Sequence, residues 1–222
     1  MISETEENYL KALFVLSIDK GEVNISELSK QLEVKIPTAN SMMKRLAEKE
    51  LVIYESYKPV KLSAKGKKEA ALIIRKHRLT EMFLVEKMGF GWEEVHLIAE
   101  QIEHIRSTAF FEKMDELLGH PNVDPHGSPI PDINGKITTE HYLRLSDHKK
   151  GDKVEFMAVS HSSEDLLKFL NSKELVLGTV LFIESIEPFD GTMSVSYDKR
   201  QNEMLSSKVC DKLLVREAEG NS

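Results

Sequence analysis

Six side chains that can bind metal ions fall at helical spacing in two short segments of the chain. In EVHLIAEQIEHI, the residues at i, i+4, i+7 and i+8 are His96, Glu100, Glu103 and His104. At about 100° per residue, these positions share one stripe of a helix. Upstream, RKHRLTE places His77 and Glu81 four residues apart. Imidazole nitrogens and carboxylate oxygens suit Mn, Fe or Zn, so two neighbouring helices could close a metal site. The alternative is two solvated helices with polar i, i+4 partners.

Length and composition are those of an ordinary globular protein. The 222 residues suffice for one large domain or two to three small ones. No apolar run approaches the roughly 18 residues that span a bilayer, so no membrane partner is expected, and the acidic N-terminal sequence is unlike a signal or transit peptide. A single cysteine, Cys210, excludes an internal disulfide framework and cysteine-rich zinc modules, and fits a cytoplasmic, reducing compartment.

Positive charge is concentrated in one segment. The chain carries a net charge of −7, yet residues 35–78 contain 12 Lys and Arg against 4 Asp and Glu, a local balance of +8. The rest of the chain therefore has a balance of −15. This distribution is expected of a small DNA-binding module attached to acidic domains.

The order of elements at the start of the chain is that of a winged helix-turn-helix. Ser3 and Glu6 form a capping-box pattern that begins a first helix, which Gly21 ends. A short helix, SELSKQLEV, precedes a third helix that starts at Pro37. The following LVIYESYKPVKLS alternates like a two-stranded ribbon.

In a winged helix-turn-helix, the third helix enters the major groove led by its N-terminal residues. Thr38 can offer a methyl group to thymine and Asn40 can pair with adenine, whereas basic residues contact phosphates. The alternative is a protein-binding module with a solvated basic face. The candidate DNA-binding residues are Lys35, Pro37, Thr38, Asn40, Ser41, Lys44, Arg45, Lys58 and Lys61.

The remaining sequence predicts a helical domain followed by a small β domain. Ser63 caps a long helix that ends at Gly89, and residues 92–118 are predicted as one further helix that carries the metal stripe. Their surplus apolar positions fit a dimer interface or an intramolecular core. After Gly151, the segments KVEFMAVS, TVLFIESIEPF, MSVSYD and VCDKLLVR are predicted as short strands, with one helix, SEDLLKFLNS, between the first two. Strands of this size and spacing suggest an SH3-like barrel. The predicted fold is mainly α with small β parts, in domains 1–64, 65–140 and 150–218.

Catalytic patterns are absent from the sequence. Di-iron oxygenases need a Glu-x-x-His motif from each of two helices, and neither helix carries one. The zinc-protease pattern His-Glu-x-x-His is also missing, as are a phosphate loop and a dinucleotide fingerprint. A metal sensor is therefore favoured over an enzyme.

The segments RKHRLTE, VHLIAEQIEHI and DPHGSPIP, behind a winged helix-turn-helix and before an SH3-like tail, resemble the diphtheria toxin repressor family of metal-dependent regulators. The resemblance covers essentially the whole chain, and its C-terminal part is similar to the FeoA fold. It implies a homodimer that binds double-stranded operator DNA when loaded with Mn²⁺ or Fe²⁺. Zn²⁺, Co²⁺ and Ni²⁺ are further candidate ions in vitro.

The resemblance also implies two sets of metal ligands. The set found in iron-type members matches His77, Glu81 and His96, and the set that triggers DNA binding matches Glu100, Glu103 and His104. Iron-type members usually have a cysteine where Glu100 stands, and a hard carboxylate there favours Mn²⁺. His96, in contrast, is the iron-type residue, so the chain combines both patterns.

The chain departs from the family at its first helix. Asn8 stands where members supply a methionine or aspartate, and Lys11 stands where manganese-type members often add an acid. An asparagine carbonyl can ligate a hard cation, but Lys11 cannot, and its charge opposes a nearby metal, which argues against a full binuclear manganese cluster. Streptococcal-type relatives imply further ligands at Asp124, His126 and near His161. The alternative is a surface loop for Asp124 and His126, and an exposed residue is favoured for His161.

We expect a divalent cation to relieve the repulsion among the acids and to tie the first helix, through Asn8, to the dimerisation helices. That link would fix the spacing of two recognition helices on DNA. Two rival functions stay open. One is a winged-helix regulator that senses a small organic ligand, and the other is a helical di-metal enzyme.

Overall fold

The computed structural model of the chain describes residues 2–18, 20–138 and 140–218. They form two compact units. The first unit contains residues 2–83, 97–122 and 130–138, and the second contains 84–96, 123–129 and 140–218. None of the helices in these ranges combines the length and the hydropathy that a bilayer crossing requires.

Helices dominate the first two thirds of the chain and strands the last third. The helices of the described residues are α1 (Glu4–Ser17), α2 (Ile25–Gln31), α3 (Ile36–Glu48), α4 (Ala64–Met88), α5 (His96–Ile102), α6 (Thr108–Leu118), α7 (Glu164–Ser172) and α8 (Ser207–Cys210). The strands are β1 (Val52–Ile53), β2 (Lys61–Leu62), β3 (Leu143–Arg144), β4 (Lys153–Val159), β5 (Val180–Ile186), β6 (Met193–Tyr197), β7 (Arg200–Leu205) and β8 (Leu213–Glu217).

The winged helix-turn-helix lies in the first unit. The predicted capping box of α1 is confirmed, because Ser3 Oγ accepts the amide of Glu6 and the Glu6 carboxylate accepts the amide of Ser3. Buried apolar side chains of α1, α2 and α3 form the core, among them Leu10, Leu28 and Met43. Strands β1 and β2 pair antiparallel, with Val52 opposite Leu62, and so form the predicted ribbon, or wing.

The start of α4 depends on a glycine. Ser63 Oγ accepts the Gly66 amide at 3.0 Å, which is the predicted cap. A Cβ atom on Gly66 would lie 1.8 Å from the Leu51 carbonyl oxygen. Only a residue without a side chain allows α4 to pack so closely on the segment before β1. The helix ends before Gly89, whose φ of +75° is easily adopted by glycine.

The prediction of one helix over residues 92–118 is wrong. The structure has two helices there, α5 and α6, separated by a turn. Ser107 begins the second one, because its side chain accepts the amide of Phe110 at 3.3 Å, and serine strongly favours such N-cap positions. Glu103 and His104 therefore lie in the turn that follows α5.

The second unit is built on one six-stranded antiparallel sheet with the strand order β3-β8-β4-β5-β6-β7. Helix α7 connects β4 to β5, as predicted. Fully buried side chains such as Phe156, Leu170 and Leu181 form its core. Two details differ from the prediction. Strand β7 was missed because RQNEML is largely polar, and Cys210, predicted in a strand, belongs to α8. The predicted fold class, mainly α with a small C-terminal β domain, is confirmed.

Candidate metal centre

Seven ionisable side chains from three parts of the first unit come together around one buried carboxylate. We call this group the acidic cluster, and its members are Glu7, Lys11, His77, Glu81, Glu100, Glu103 and His104. Glu103 is at its centre and has no exposed surface. Its Oε2 lies 2.5 Å from His77 Nδ1, and its backbone carbonyl accepts a hydrogen bond from Lys76 Nζ at 2.7 Å.

His77 and Glu81 occupy successive turns of α4, as their spacing predicts. His77 Nε2 lies 3.0 Å from Glu81 Oε1, and both residues are buried, with 8% and 3% of their surface exposed. Burial by itself lowers the pKa of His77, but hydrogen bonds with Glu103 and Glu81 outweigh it and raise the pKa to about 9. At neutral pH the metal-free chain therefore carries an imidazolium between two carboxylates.

The Glu103 carboxylate is held in its charged form. Burial raises its pKa, but the hydrogen bond from His77 and the positive charges of Lys11 and His77 outweigh burial and lower it. Lys11 Nζ lies 2.8 Å from Glu103 Oε1 and 2.9 Å from Oε2, and 3.3 Å from Glu100 Oε1. An ion pair thus joins α1 to the segment that contains α5 and its following turn.

A second contact from α1 comes from a residue that sequence reasoning missed. Glu7 Oε2 lies 2.5 Å from His104 Nδ1, whereas Asn8, the residue predicted to contribute from α1, is exposed. The spacing of Glu7 and Lys11 was an available signal, because residues four apart share one helix face. Glu7 is therefore the α1 residue whose carboxylate contacts the His104 imidazole of the acidic cluster.

The donor set of the acidic cluster fits a divalent cation. It combines carboxylate oxygens with two imidazoles and contains no thiolate, which suits the harder ions Mn²⁺ and Fe²⁺. Its central groups are buried, so a bound ion would be held in a low dielectric. His77 ligates only as a neutral imidazole, so metal binding would release its proton.

The other predicted ligands lie in the second unit. His96 is exposed at the first position of α5. Asp124 and His126 are buried, with 3% and 4% of their surface exposed, which contradicts the surface-loop alternative. Asp124 Oδ1 accepts the backbone amides of His126 and Ser128 at 2.8 and 2.9 Å. His161 is exposed, in a turn after β4.

The side chain of His126 has a defined tautomer. Its Nε2 lies 2.8 Å from the carbonyl oxygen of Trp92, so this nitrogen carries a proton and donates it. The His126 ring also stacks on Trp92, with 5.9 Å between ring centroids. In a neutral His126, Nδ1 is therefore the nitrogen with a lone pair for a metal.

The predicted DNA-binding residues lie on α3, just before it, and on the wing, all in the first unit. A concave surface that encloses a volume of about 420 Å³ lies between the start of α2, α3 and the wing, and Asn40, Lys44 and Lys58 line it. Tyr54 Oη donates to Asn40 Oδ1 at 3.0 Å, so pairing with adenine requires Asn40 to share or exchange this bond. The other predicted DNA-binding residues lie outside this surface and are exposed; they are Lys35, Pro37, Thr38, Ser41, Arg45 and Lys61.

Besides Asn40, four of the predicted DNA-binding side chains have partners within the unit. Ser41 Oγ donates to the Pro37 carbonyl at 2.9 Å, which satisfies its hydroxyl locally. On the wing, Lys58 pairs with Glu55 at 2.8 Å, and Lys61 pairs with Glu22 at 3.0 Å. Arg45 Nε lies 2.9 Å from the buried Glu6 carboxylate. The wing pairs are exposed and weak, so phosphates can compete for both lysines.

Family models match the chain in three parts. Residues 1–60 match the N-terminal DNA-binding domain of iron-dependent repressors, residues 63–132 match their metal-binding and dimerisation domain, and residues 143–217 match the FeoA domain. The iron-dependent repressor IdeR of Mycobacterium leprae is 31% identical over 173 residues, which cover 73% of this chain and 75% of that protein. The regulator MntR of Bacillus subtilis is 28% identical over 143 residues, or 64% of this chain and 99% of MntR.

Solved structures show the same similarity over nearly the full length. A manganese-dependent transcriptional repressor in complex with manganese aligns with a TM-score of 0.87 and 30% identity, over 96% of this chain and 100% of that one. ScaR with bound Zn²⁺ aligns with a TM-score of 0.78 and 31% identity, over 96% and 99% of the two chains. The resemblance inferred from RKHRLTE and VHLIAEQIEHI is thereby confirmed: the chain belongs to the diphtheria toxin repressor family and is a metal-dependent transcriptional repressor.

Proposed function

We propose that the chain acts in the cytoplasm as a homodimer that binds operator DNA when Mn²⁺ or Fe²⁺ loads the acidic cluster, and that it has no catalytic role. The observation that carries this proposal is the position of Glu103. Its fully buried carboxylate contacts His77 of α4 and Lys11 of α1, so a charge change at this point acts on the helix that begins the DNA-binding domain.

The chain's own contacts supply a route from the acidic cluster to the recognition helix. Glu6 and Glu7 are neighbours in α1. Glu7 contacts His104 of the acidic cluster, whereas Glu6 contacts Arg45 in α3. Fixing α1 therefore fixes α3, and the spacing of two α3 helices in a dimer must match the half-sites of DNA. A bound divalent ion would supply positive charge among the carboxylates and so favour the DNA-ready arrangement. By reciprocity, DNA would then tighten metal binding.

Ligand chemistry supports Mn²⁺ more than a softer ion, because Glu100 supplies a carboxylate where iron-type members have a thiolate.

We propose the division into domains 1–64 for DNA binding, 65–140 for metal binding and dimerisation, and 150–218 for the FeoA-like fold. The ligands proposed for the acidic cluster are Glu7, His77, Glu81, Glu100, Glu103 and His104. The residues that the family resemblance adds, each to be tested by its own substitution, are Asn8, His96, Asp124, His126 and His161.

The test is a metal titration of DNA binding with the double variant Glu103→Ala, His104→Ala. An operator is first selected from a random duplex pool with the manganese-loaded chain, and binding is then followed by fluorescence anisotropy. We expect the variant to lose metal-stimulated binding and to keep its circular dichroism spectrum. Glu116→Ala, at an exposed position of α6, is the control and should behave like the wild type. Metal-stimulated binding that is unchanged in the double variant would refute the proposal and favour a regulator of the organic-ligand type.

A further inference from the structure

Lys11 places a positive charge inside the acidic cluster. Its ammonium contacts both oxygens of Glu103, at 2.8 and 2.9 Å, and one oxygen of Glu100, at 3.3 Å. The side chain is only 17% exposed. A second ion, added beside the first and bridging the carboxylates of Glu100 and Glu103, would have to lie where this ammonium lies. The two cations exclude each other from that position by volume and by charge.

The charge of the acidic cluster also limits how many ions it can hold. Its four carboxylates are Glu7, Glu81, Glu100 and Glu103, and Lys11 offsets one of their charges. With both histidines neutral, one divalent ion leaves the acidic cluster at −1. A second divalent ion would make it +1 and would place three cations, the two metal ions and the ammonium, beside one another, where they repel each other.

We propose that Lys11 is a built-in cation that takes the place of a second metal ion. It restricts the acidic cluster to one divalent ion per chain, and it holds α1 against the segment of α5 and its following turn without any metal. The first half of this inference rests on the proposed function, because it concerns metal binding. The second half does not, because it concerns the metal-free chain.

The first test counts metal ions in Lys11→Glu, which replaces the ammonium by a further carboxylate. After loading with Mn²⁺ and gel filtration, we expect one more manganese per chain than in the wild type. Electron paramagnetic resonance should change from an isolated-ion spectrum to that of an exchange-coupled pair. Lys20→Glu makes the same charge change in an exposed ion pair with Glu27, and should match the wild type. An unchanged count and an uncoupled spectrum in Lys11→Glu would overturn the inference.

The second test follows α1 in metal-free protein by hydrogen exchange. Lys11→Met removes the charge and keeps an apolar stem, and we expect the α1 amides to exchange faster by about tenfold. Lys11→Arg should restore protection, which would show that the ion pair and not the fold is affected, and Lys20→Met should leave it unchanged. Equal α1 exchange in Lys11→Met and the wild type would overturn the tethering role.

The two tests separate failure of this inference from failure of the proposed function. If the wild type binds Mn²⁺ and DNA together but Lys11→Glu gains no ion, the limit on metal number is wrong and the proposed function stands. If the wild type binds no metal while Lys11→Met loosens α1, the proposed function is wrong and the tether stands.

Discussion

The carboxylate of Glu6 and the ammonium of Lys49 form an ion pair between α1 and the C-terminal end of α3, with Nζ 2.7 Å from Oε1 and 2.8 Å from Oε2. Glu6 has no exposed surface, and Arg45 also reaches it. A buried carboxylate that keeps two cations close is sensitive to any change of charge. Glu6 therefore holds the recognition helix to the helix that contacts the acidic cluster.

Glu6→Gln should destabilise the first unit by about 1–3 kcal/mol, because it leaves Lys49 and Arg45 without their shared counter-charge. Urea unfolding followed by circular dichroism measures the effect. Glu4→Gln, an exposed change in the same first turn of α1, is the control and should cost less than about 1 kcal/mol. Equal losses in the two variants would contradict a special role for Glu6.

The contribution of Glu6 should depend on pH. Burial raises its pKa, but the hydrogen bonds from Lys49 and the Ser3 amide, with the charges of Lys49 and Arg45, outweigh burial and lower it. Because the pKa is lower in the folded state, the ionised carboxylate stabilises the protein at any pH above the unfolded-state pKa of about 4.3. This stabilisation is lost as the pH falls through the folded-state pKa. The difference in unfolding free energy between wild type and Glu6→Gln should therefore shrink on acidification below about pH 4.3. A constant difference would argue against this ion pair.

Gly66→Ala should destabilise the first unit although alanine is the better helix former by about 1 kcal/mol. The new Cβ would overlap the Leu51 carbonyl oxygen. Shifting α4 away should cost a net of about 1–3 kcal/mol, as overpacking does in other proteins. Thermal unfolding measures the change. Lys67→Ala, at the exposed neighbouring position, controls for helix propensity. A more stable Gly66→Ala variant would show that the close approach is relieved at little cost.

Cys210 should resist thiol reagents in the native protein. Its side chain has no exposed surface, and burial raises its pKa to about 11, so reactive thiolate is scarce. We expect labelling by Ellman's reagent to be slower than in denatured protein by more than about a hundredfold, with a rate set by opening of the second unit. Immediate labelling in native buffer would contradict the burial of this thiol.

Lys44→Ala should weaken DNA binding without changing sequence preference. Lys44 is exposed on α3 and lines the concave surface beside the wing, where a phosphate contact is expected. Losing one phosphate contact should make the slope of log affinity against log salt concentration shallower by about one unit. Lys113→Ala, on α6, changes the net charge equally and should leave that slope unaltered. A similar effect in both variants would indicate a general charge effect.

Sequence patterns predicted the parts of this chain that local geometry determines. The spacing of His77 and Glu81 fixes their shared face on α4, and Ser63 marks where that helix begins, because both depend on one turn of backbone. The contact of Lys11 with Glu103 joins residues 92 positions apart, and no local period encodes it. Which α1 residue reaches the acidic cluster depends on the rotation of that helix about its axis.

The rotation of α1 follows from its buried positions. Tyr9, Leu10 and Leu13 face the core, which turns Glu7 toward the acidic cluster and leaves Asn8 exposed. Resemblance to the family pointed to the position of Asn8, whereas in the structure the neighbouring Glu7 contacts the acidic cluster. The break between α5 and α6 was missed because Ile102, Ile105 and Ala109 keep a helical spacing across it, although most residues of the turn are polar. Only Ser107 signals a new start.

That break has a mechanical consequence for ion selection. A carboxylate within a helix is fixed by the hydrogen bonds above and below it, whereas Glu103 and His104 follow the last turn of α5. Small backbone rotations can therefore adjust their reach to ions of different radius at little energetic cost. We therefore expect ionic radius to discriminate poorly at the acidic cluster. The affinity of an ion for oxygen and nitrogen over sulfur, and its ability to displace the proton of His77, should matter more.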